Sequence, residues 1–206
     1  MEKKVQYIEN PCRASSIPYW KSVSIYVPEN MKILHQDDFK TQLLAEYVDE
    51  PYFRLKHDLK AVASVAVPEG YSLCQGTVEE FASHIHECYS NGMTEEEVRG
   101  FTERKVYCPQ LWITLRDNST GKIVATGIGE LDRDIGEGIL EWIQVSEEHR
   151  GRGLGCYIVS ELLWRMRDIA KFATVSGQCN NPSNPEKLYR KCGFTGNDIW
   201  HVMKRK

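Results

Sequence analysis

Between residues 71 and 206 the apolar positions switch repeatedly between a period of two and a period near 3.6, and each switch marks an element. YSLCQ from Tyr71 reads as a short strand. Thr77 with Glu80 three residues on is a capping box, opening a helix whose apolar face is Phe81, Ile85, Cys88 and Tyr89. Thr94 and Glu97 repeat the signal for a second helix carrying Val98 and Phe101. Leu111, Ile113 and Leu115 then alternate with Trp112, Thr114 and Arg116, and the turn DNSTGK leads into IVATGIGEL, an antiparallel hairpin. A second turn, DRDIGEG, precedes the strand GILEWIQV. A helix from about Gly153 to Ala170 carries the stripe Leu154, Ile158, Leu162 and Met166, and Phe172 to Gln178 is a strand. Asn184 before Pro185 suits the N-cap of a short helix that stops at Gly193, and IWHVMKR closes as a strand. The predicted order is strand, two helices, three strands, helix, strand, helix, strand, which is an α/β (α+β) chain.

Residues 1–68 have a different texture, with several prolines and short mixed runs. KSVSIYVP and MKILHQDDF read as weak strands and turns, and Phe39 to Asp49 as a short helix on the spacing of Phe39, Leu43, Leu44 and Tyr47. Val67-Pro68-Glu69-Gly70 is the expected join between an N-terminal extension, 1–68, without a functional motif, and a domain over 69–206.

Composition narrows the function classes without choosing one. Lys plus Arg number 26 against 29 Asp plus Glu, and a formal charge of −3 gives no electrostatic reason to expect nucleic acid or an anionic membrane as partner. No apolar run approaches the roughly 20 residues of a membrane helix, and MEKKVQYIENPCR lacks a signal peptide's apolar core, so a cytoplasmic protein is expected. The seven cysteines form no C-x-x-C pair and no metal-ligand rhythm with the six histidines, so no metal site is expected.

The densest chemistry lies in LEWIQVSEEHRGRGLGCYIVSEL, Leu140 to Leu162, where a strand enters a cationic glycine-rich turn and leaves as a helix. Gly151, Gly153 and Gly155 allow a tight turn with exposed N–H groups, the helix directs its partial positive end at the turn, and Arg150 and Arg152 add charge. That suits a pyrophosphate. A Walker loop fails because no Lys follows the glycines. A dinucleotide fingerprint fails because its third glycine would fall at Cys156 or Ile158.

Arg150, Gly153 and Gly155 do meet the pattern Gln/Arg-x-x-Gly-x-Gly/Ala, and Asn180 to Phe194 ends in Leu-Tyr-x-x-x-Gly-Phe. In both respects the chain resembles the GNAT superfamily of N-acetyltransferases, over about two thirds of its length. The resemblance implies the GNAT acyl-CoA transferase fold, a mixed central sheet with splayed strands, here with an N-terminal extension. It implies acetyl-CoA as cosubstrate and an amine, on a small molecule or a peptide, as acceptor; a homodimer is compatible with it. Backbone groups of Ile143, Gln144 and Val145 would meet the pantetheine arm and thioester. The N–H groups of Arg150, Gly151, Arg152, Gly153, Leu154 and Gly155 would hold the pyrophosphate. Asn180 and Asn181 would either bind pantetheine or form a turn. Tyr189 would protonate the departing thiolate, or else pack as a helix tyrosine.

An amine with a lysine-like pKa is neutral in only about one molecule in 10³ to 10⁴ at pH 7, roughly 4 to 5 kcal/mol, so a base is needed. Glu141 is the first candidate, because strand alternation would put it on the face of Ile139, Ile143 and Val145; Glu130 on the neighbouring strand is the second. Each competes with an ion-pair or surface reading. His149 competes between phosphate contact and solvated loop, Asn184 reads as a cap, and Cys156 and Cys192 as packing residues. The acidic set Glu130, Asp132, Asp134, Glu137 and Glu141 suits a cationic acceptor or solvated hairpin ends. Two readings outside catalysis stay open: an acetyl-CoA-binding sensor, and an interaction protein using residues 1–68.

Overall fold

The computed structural model describes residues 2–89 and 92–206; Met1 of the expected extension lies outside them. In chain order the elements are α1 (Glu2–Glu9), α2 (Pro11–Ala14), α3 (Tyr19–Ser22), β1 (Met31–His35), β2 (Tyr47–His57), β3 (Tyr71–Cys74), α4 (Val78–Cys88), α5 (Glu95–Thr102), β4 (Tyr107–Asp117), β5 (Ile123–Asp132), β6 (Glu137–Val145), α6 (Leu154–Met166), β7 (Phe172–Gln178), α7 (Pro185–Lys191) and β8 (Thr195–Arg205). The chain is mixed α/β with antiparallel pairings, and from β3 onward the order is the predicted one. It divides into two compact units, residues 58–173 and residues 1–57 with 174–206.

In the unit of residues 58–173, β6, β5, β4 and β3 lie side by side in that order, all paired antiparallel. Helix α6 covers one face. A Cβ on Gly127 would stand 2.5 Å from Ile158 Cγ2 and one on Gly138 2.6 Å from Met166 Sδ, so these glycines let the helix seat directly on the strands. Its stripe Leu154, Ile158, Leu162 and Met166 is buried as predicted. Helices α4 and α5 cover the other face through Phe81, Ile85, Val98 and Phe101, packed with Trp112 and Ile128. Both faces of β4 are therefore dry: Trp112 and Thr114 are buried alongside Leu111, Ile113 and Leu115. Both capping boxes form. Thr77 Oγ1 accepts the Glu80 N–H at 3.3 Å and Thr77 N–H donates to Glu80 at 3.0 Å; Thr94 and Glu97 repeat the exchange. Tyr89 departs from expectation: α4 ends at Cys88, leaving Tyr89 extended and exposed, its ring edge-on to Trp142.

In the other unit, β8 lies between β1 and β2, antiparallel to both, with β7 beyond β2. Residues 39–49 do not form the expected helix. Thr41–Ala45 make one 3-10 turn and Tyr47 already starts β2, whose mixed polarity and Pro51 hid it from a period-two reading. In KSVSIYVP the helix α3 takes the first residues, and Val23, Ile25, Tyr26 and Val27 follow it exposed and without strand pairing. The structure thus corrects that weak strand, while MKILH is a strand as expected and pairs with β8.

Candidate active site

The site begins at an irregularity in β6. Ile139 pairs with Glu130 and Leu140 with Gly129, but Trp142 pairs with Ile128 and Ile143 with Gly127, so Glu141 is an extra residue in the ladder. The bulge inverts the alternation. Ile139 shares a face with Trp142 and Gln144, while Ile143 and Val145 share the opposite face, so the expected single row Ile139, Glu141, Ile143, Val145 does not exist. Glu141 is half-buried.

After Val145 the chain leaves the strand at Ser146, makes one 3-10 turn over Glu147–His149, and passes through Arg150 to Gly153 into α6. Gly151 and Gly153 have φ of 75° and 82°, the left-handed region where a side chain is strained, and a Cβ on either would meet nothing within 4 Å. Gly153 is the N-cap and supplies no side-chain acceptor, so the first N–H groups of α6, from Leu154 and Gly155, are not capped by it. Open glycine corners and the helix's positive end fit a pyrophosphate.

The charged side chains of the loop brace it. Arg150 Nε donates to the Val145 carbonyl at 3.2 Å, and Arg152 donates to Tyr71 Oη at 3.3 Å and to the Glu148 carbonyl at 3.1 Å. His149 lies 3.1 Å from Tyr71 Oη and 3.9 Å from Asp117, so it is tied to β3 and β4 rather than solvated. Hydrogen bonds from Ser119, with further help from Thr120 and His149, hold the Asp117 carboxyl below its ordinary range.

The acidic set divides. Glu130 is buried and ion-paired with Arg104 at 2.7 Å, whose guanidinium lies over the Phe101 ring. Asp132 and Glu137, directly opposite each other in register, are also buried, and Asp134 is exposed beside Lys105. Solvated hairpin ends therefore describe only Asp134 of these four.

In the second unit, Tyr189 on α7 is buried between the rings of Phe53, 6.1 Å away, and Phe194, 5.8 Å away. Asn181 forms a turn, its Oδ1 accepting from Ser183 N–H at 2.9 Å and Ser183 Oγ at 2.8 Å, and Asn180 is exposed. Asn184 caps α7 as predicted, accepting the Lys187 N–H at 3.4 Å from a left-handed φ of 47°. Cys156 and Cys192 are half-buried.

Sequence reasoning passed over His84. Its ring is buried, with Nδ1 2.9 Å from Thr126 Oγ1 and Nε2 2.9 Å from Ser146 Oγ. Gln144 donates from its amide to the same Thr126 hydroxyl. A signal was present, since His84 sits between Phe81 and Ile85 on the apolar stripe of α4, where a polar side chain requires a partner. Desolvation by burial lowers its pKa, against a smaller raising effect of Glu87 and the Val124 carbonyl.

Among the described residues no group of three or more His, Cys, Asp or Glu is placed to hold a metal ion, and no helix is long and apolar enough to cross a membrane. Three solved structures define the likeness. A GCN5-related N-acetyltransferase from Sphaerobacter thermophilus is 19% identical with a TM-score of 0.68, covering 87% of this chain and 61% of its own. A GNAT-family acetyltransferase from Colwellia psychrerythraea is 16% identical with a TM-score of 0.60, covering 84% and 64%. The ribosomal-protein-S18-alanine N-acetyltransferase from Escherichia coli is 16% identical with a TM-score of 0.52, covering 66% and 93%. The chain thus spans less than two thirds of the first two proteins, and at these identities the likeness is one of fold. No curated protein sequence matches the chain significantly. Residues 109–196 match the family model described as the acetyltransferase (GNAT) domain, a span running from β4 through the glycine loop to the start of β8, and over that segment the chain is similar to GNAT acetyltransferases.

Proposed function

We propose that the protein is an acetyl-CoA-dependent N-acetyltransferase of the cytoplasm, with residues 69–206 as its catalytic domain and residues 1–68 as an extension. The observation that carries this reading is the open glycine corner at Gly151 and Gly153 leading into the uncapped start of α6, inside the segment matched by the family model. The N–H groups from Gly151 to Gly155 hold the pyrophosphate, while that of Arg150, expected to join them, already donates to the Glu147 carbonyl at 3.2 Å; the backbone of Ile143, Gln144 and Val145 guides the pantetheine arm. Asn180 is available to the arm, whereas Asn181 already spends its oxygen on Ser183.

In the reaction the amine nitrogen bonds to the acetyl carbon as the carbon–sulfur bond breaks; the amine gives up a proton and the thiolate gains one. Glu141 accepts the first proton. Its position at the bulge, half-buried, favours it over Glu130, whose carboxylate is committed to Arg104. Tyr189 supplies the second proton. The acceptor is an amine on a small molecule or a peptide. Among the solved neighbours the names include a ribosomal-protein-S18-alanine N-acetyltransferase and a glucosamine N-acetyltransferase region, so both acceptor classes belong in the test.

The test is thiol release from acetyl-CoA across polyamines, amino sugars, amino acids and short peptides, with acetyl-CoA binding measured calorimetrically in the same preparation. Release with one class establishes the transferase. Binding without release by any acceptor turns the reading to an acetyl-CoA sensor, and absence of binding overturns both.

A further inference from the structure

Ser146 is the N-cap of the 3-10 turn at Glu147–His149, yet its hydroxyl makes no cap bond. A serine in that position ordinarily spends its oxygen on a backbone N–H of the turn. Here the hydroxyl meets His84 Nε2 at 2.9 Å instead, reaching from the end of β6 to the middle of α4. On the ring's other side Nδ1 meets Thr126 Oγ1 at 2.9 Å, and Thr126 stands directly opposite Gln144 in the β5–β6 ladder and receives its amide. All four polar groups are buried. The backbone is held at the same point: Ser146 N–H donates to the Val124 carbonyl at 2.9 Å and His149 N–H to the Ser146 carbonyl at 2.9 Å.

Burying an imidazole and two hydroxyls costs free energy that their mutual hydrogen bonds only offset. An apolar side chain at 84 would fill the stripe between Phe81 and Ile85 without that cost. What the imidazole adds is geometry: it fixes the residue at which the chain leaves the sheet, five residues before Gly151. We propose that His84 is a positioning residue for acyl-CoA binding, clamping Ser146 to Thr126 so that the loop 147–153 and the first N–H groups of α6 keep the shape of a pyrophosphate cradle. The inference rests on the acyl-CoA reading of that loop.

The clamp depends on the ring's charge. A neutral imidazole has one donor and one acceptor, matching two hydroxyls that can each give and take. A protonated ring donates from both nitrogens, so the hydroxyl that donated to the neutral ring, Thr126 or Ser146, loses its acceptor inside a buried cluster. Burial holds the ring neutral at physiological pH. The ionisable groups around it are Glu87 and Cys88 on α4, with Arg150 acting on Cys88 from the loop. The Cys88 thiol, 3.6 Å from Nε2, is pushed by burial to about 11 and does not titrate in the acid range. From β5 and β6 the ring meets Thr126 and the Gln144–Ser146 end, which carry no charge.

The experiment compares wild type with His84→Leu and His84→Gln. Amide hydrogen exchange is followed along the unliganded protein, and acetyl-CoA affinity is measured calorimetrically between pH 5 and 8. In His84→Leu, exchange is expected to accelerate in residues 146–153 while α6 and β5 keep their protection. Acetyl-CoA Kd is expected to rise about tenfold, the size of one well-placed hydrogen bond. His84→Gln, which can still bridge two hydroxyls, is expected to recover part of both. Wild-type affinity is expected to weaken only in acid, below the ordinary imidazole range, because burial lowers the ring's pKa; that limb should be absent in His84→Leu and kept in Glu87→Gln. Unchanged loop exchange in His84→Leu, or loss of protection throughout the unit, would overturn the proposal. Failure of wild type to bind acetyl-CoA would sink the acyl-CoA reading, and the unliganded exchange data would still decide whether His84 holds the loop.

Discussion

Glu130 and Arg104 meet at 2.7 Å, Glu130 only 1% exposed on β5 and the Arg104 side chain about a quarter exposed just after α5. A buried pair is not strongly stabilising by itself, but removing one partner strands the other charge. Arg104→Met is therefore expected to lower unfolding free energy by about 3 kcal/mol, with Glu130→Gln added to it restoring a substantial part. Urea denaturation of the single and double variants measures this. A change under about 0.5 kcal/mol in Arg104→Met would mean that the pair is solvated in solution.

Gly153→Glu places bulk and negative charge where the φ of 82° opens the corner into α6. Loss of acetyl-CoA binding by calorimetry is expected, with Gly153→Ala as a milder control that carries the left-handed strain of about 1–2 kcal/mol and no charge. Wild-type affinity in the glutamate variant would refute the cradle.

For the proton leaving the amine, Glu141→Gln is expected to flatten the rise of kcat/KM with pH while leaving acetyl-CoA affinity unchanged. Should the profile survive intact, the base lies elsewhere; Glu130 would inherit the role only if Arg104 releases it.

Tyr189→Phe keeps the packing against Phe53 and Phe194 and removes only the hydroxyl. If Tyr189 protonates the leaving thiolate, turnover falls by about 10- to 1000-fold with acetyl-CoA affinity nearly constant. Unchanged turnover would leave it as a packing residue.

The capping box of α4 carries a pH signature. The Thr77 backbone N–H, followed by Arg116, holds the Glu80 carboxyl below its ordinary 4.5. Because the folded value is depressed, this contribution is present above pH 4.5 and is lost as pH falls through the folded value. Thr77→Ala is expected to cost about 1 kcal/mol at pH 7. Thermal melts of Glu80→Gln should show a shallower loss of Tm in acid than wild type, and parallel acid limbs would remove the box from the stability of the unit.

Periodicity and turn chemistry are local properties, and where they are strong the elements could be read directly. The stripe Leu154, Ile158, Leu162, Met166, the two Thr-x-x-Glu boxes and the Asn184-Pro185 cap each depend on residues within a few positions of one another. The glycine loop is legible for the same reason, since the left-handed φ angles of Gly151 and Gly153 and the start of α6 lie within a few consecutive residues. Other features depend on partners distant in the chain. β2 is a strand because β8 lies beside it, not because YVDEPYFRLKH alternates. The extra residue at Glu141 exists only in the register of β6 against β5, and it inverted the faces that simple alternation assigned. Glu130 differs from an ordinary surface carboxylate through Arg104, 26 residues away in the chain, and His84 gained its role from Ser146, 62 residues on. The amino-acid order thus determined the helices from α4 onward, their caps and the glycine-rich turn, through short-range sterics and hydrogen bonding, while the helices of residues 2–22 and the absence of one at 39–49 were not legible in it. Tertiary structure decided which polar groups are buried together, because desolvation and pairing across strands act between residues that only the fold brings into contact.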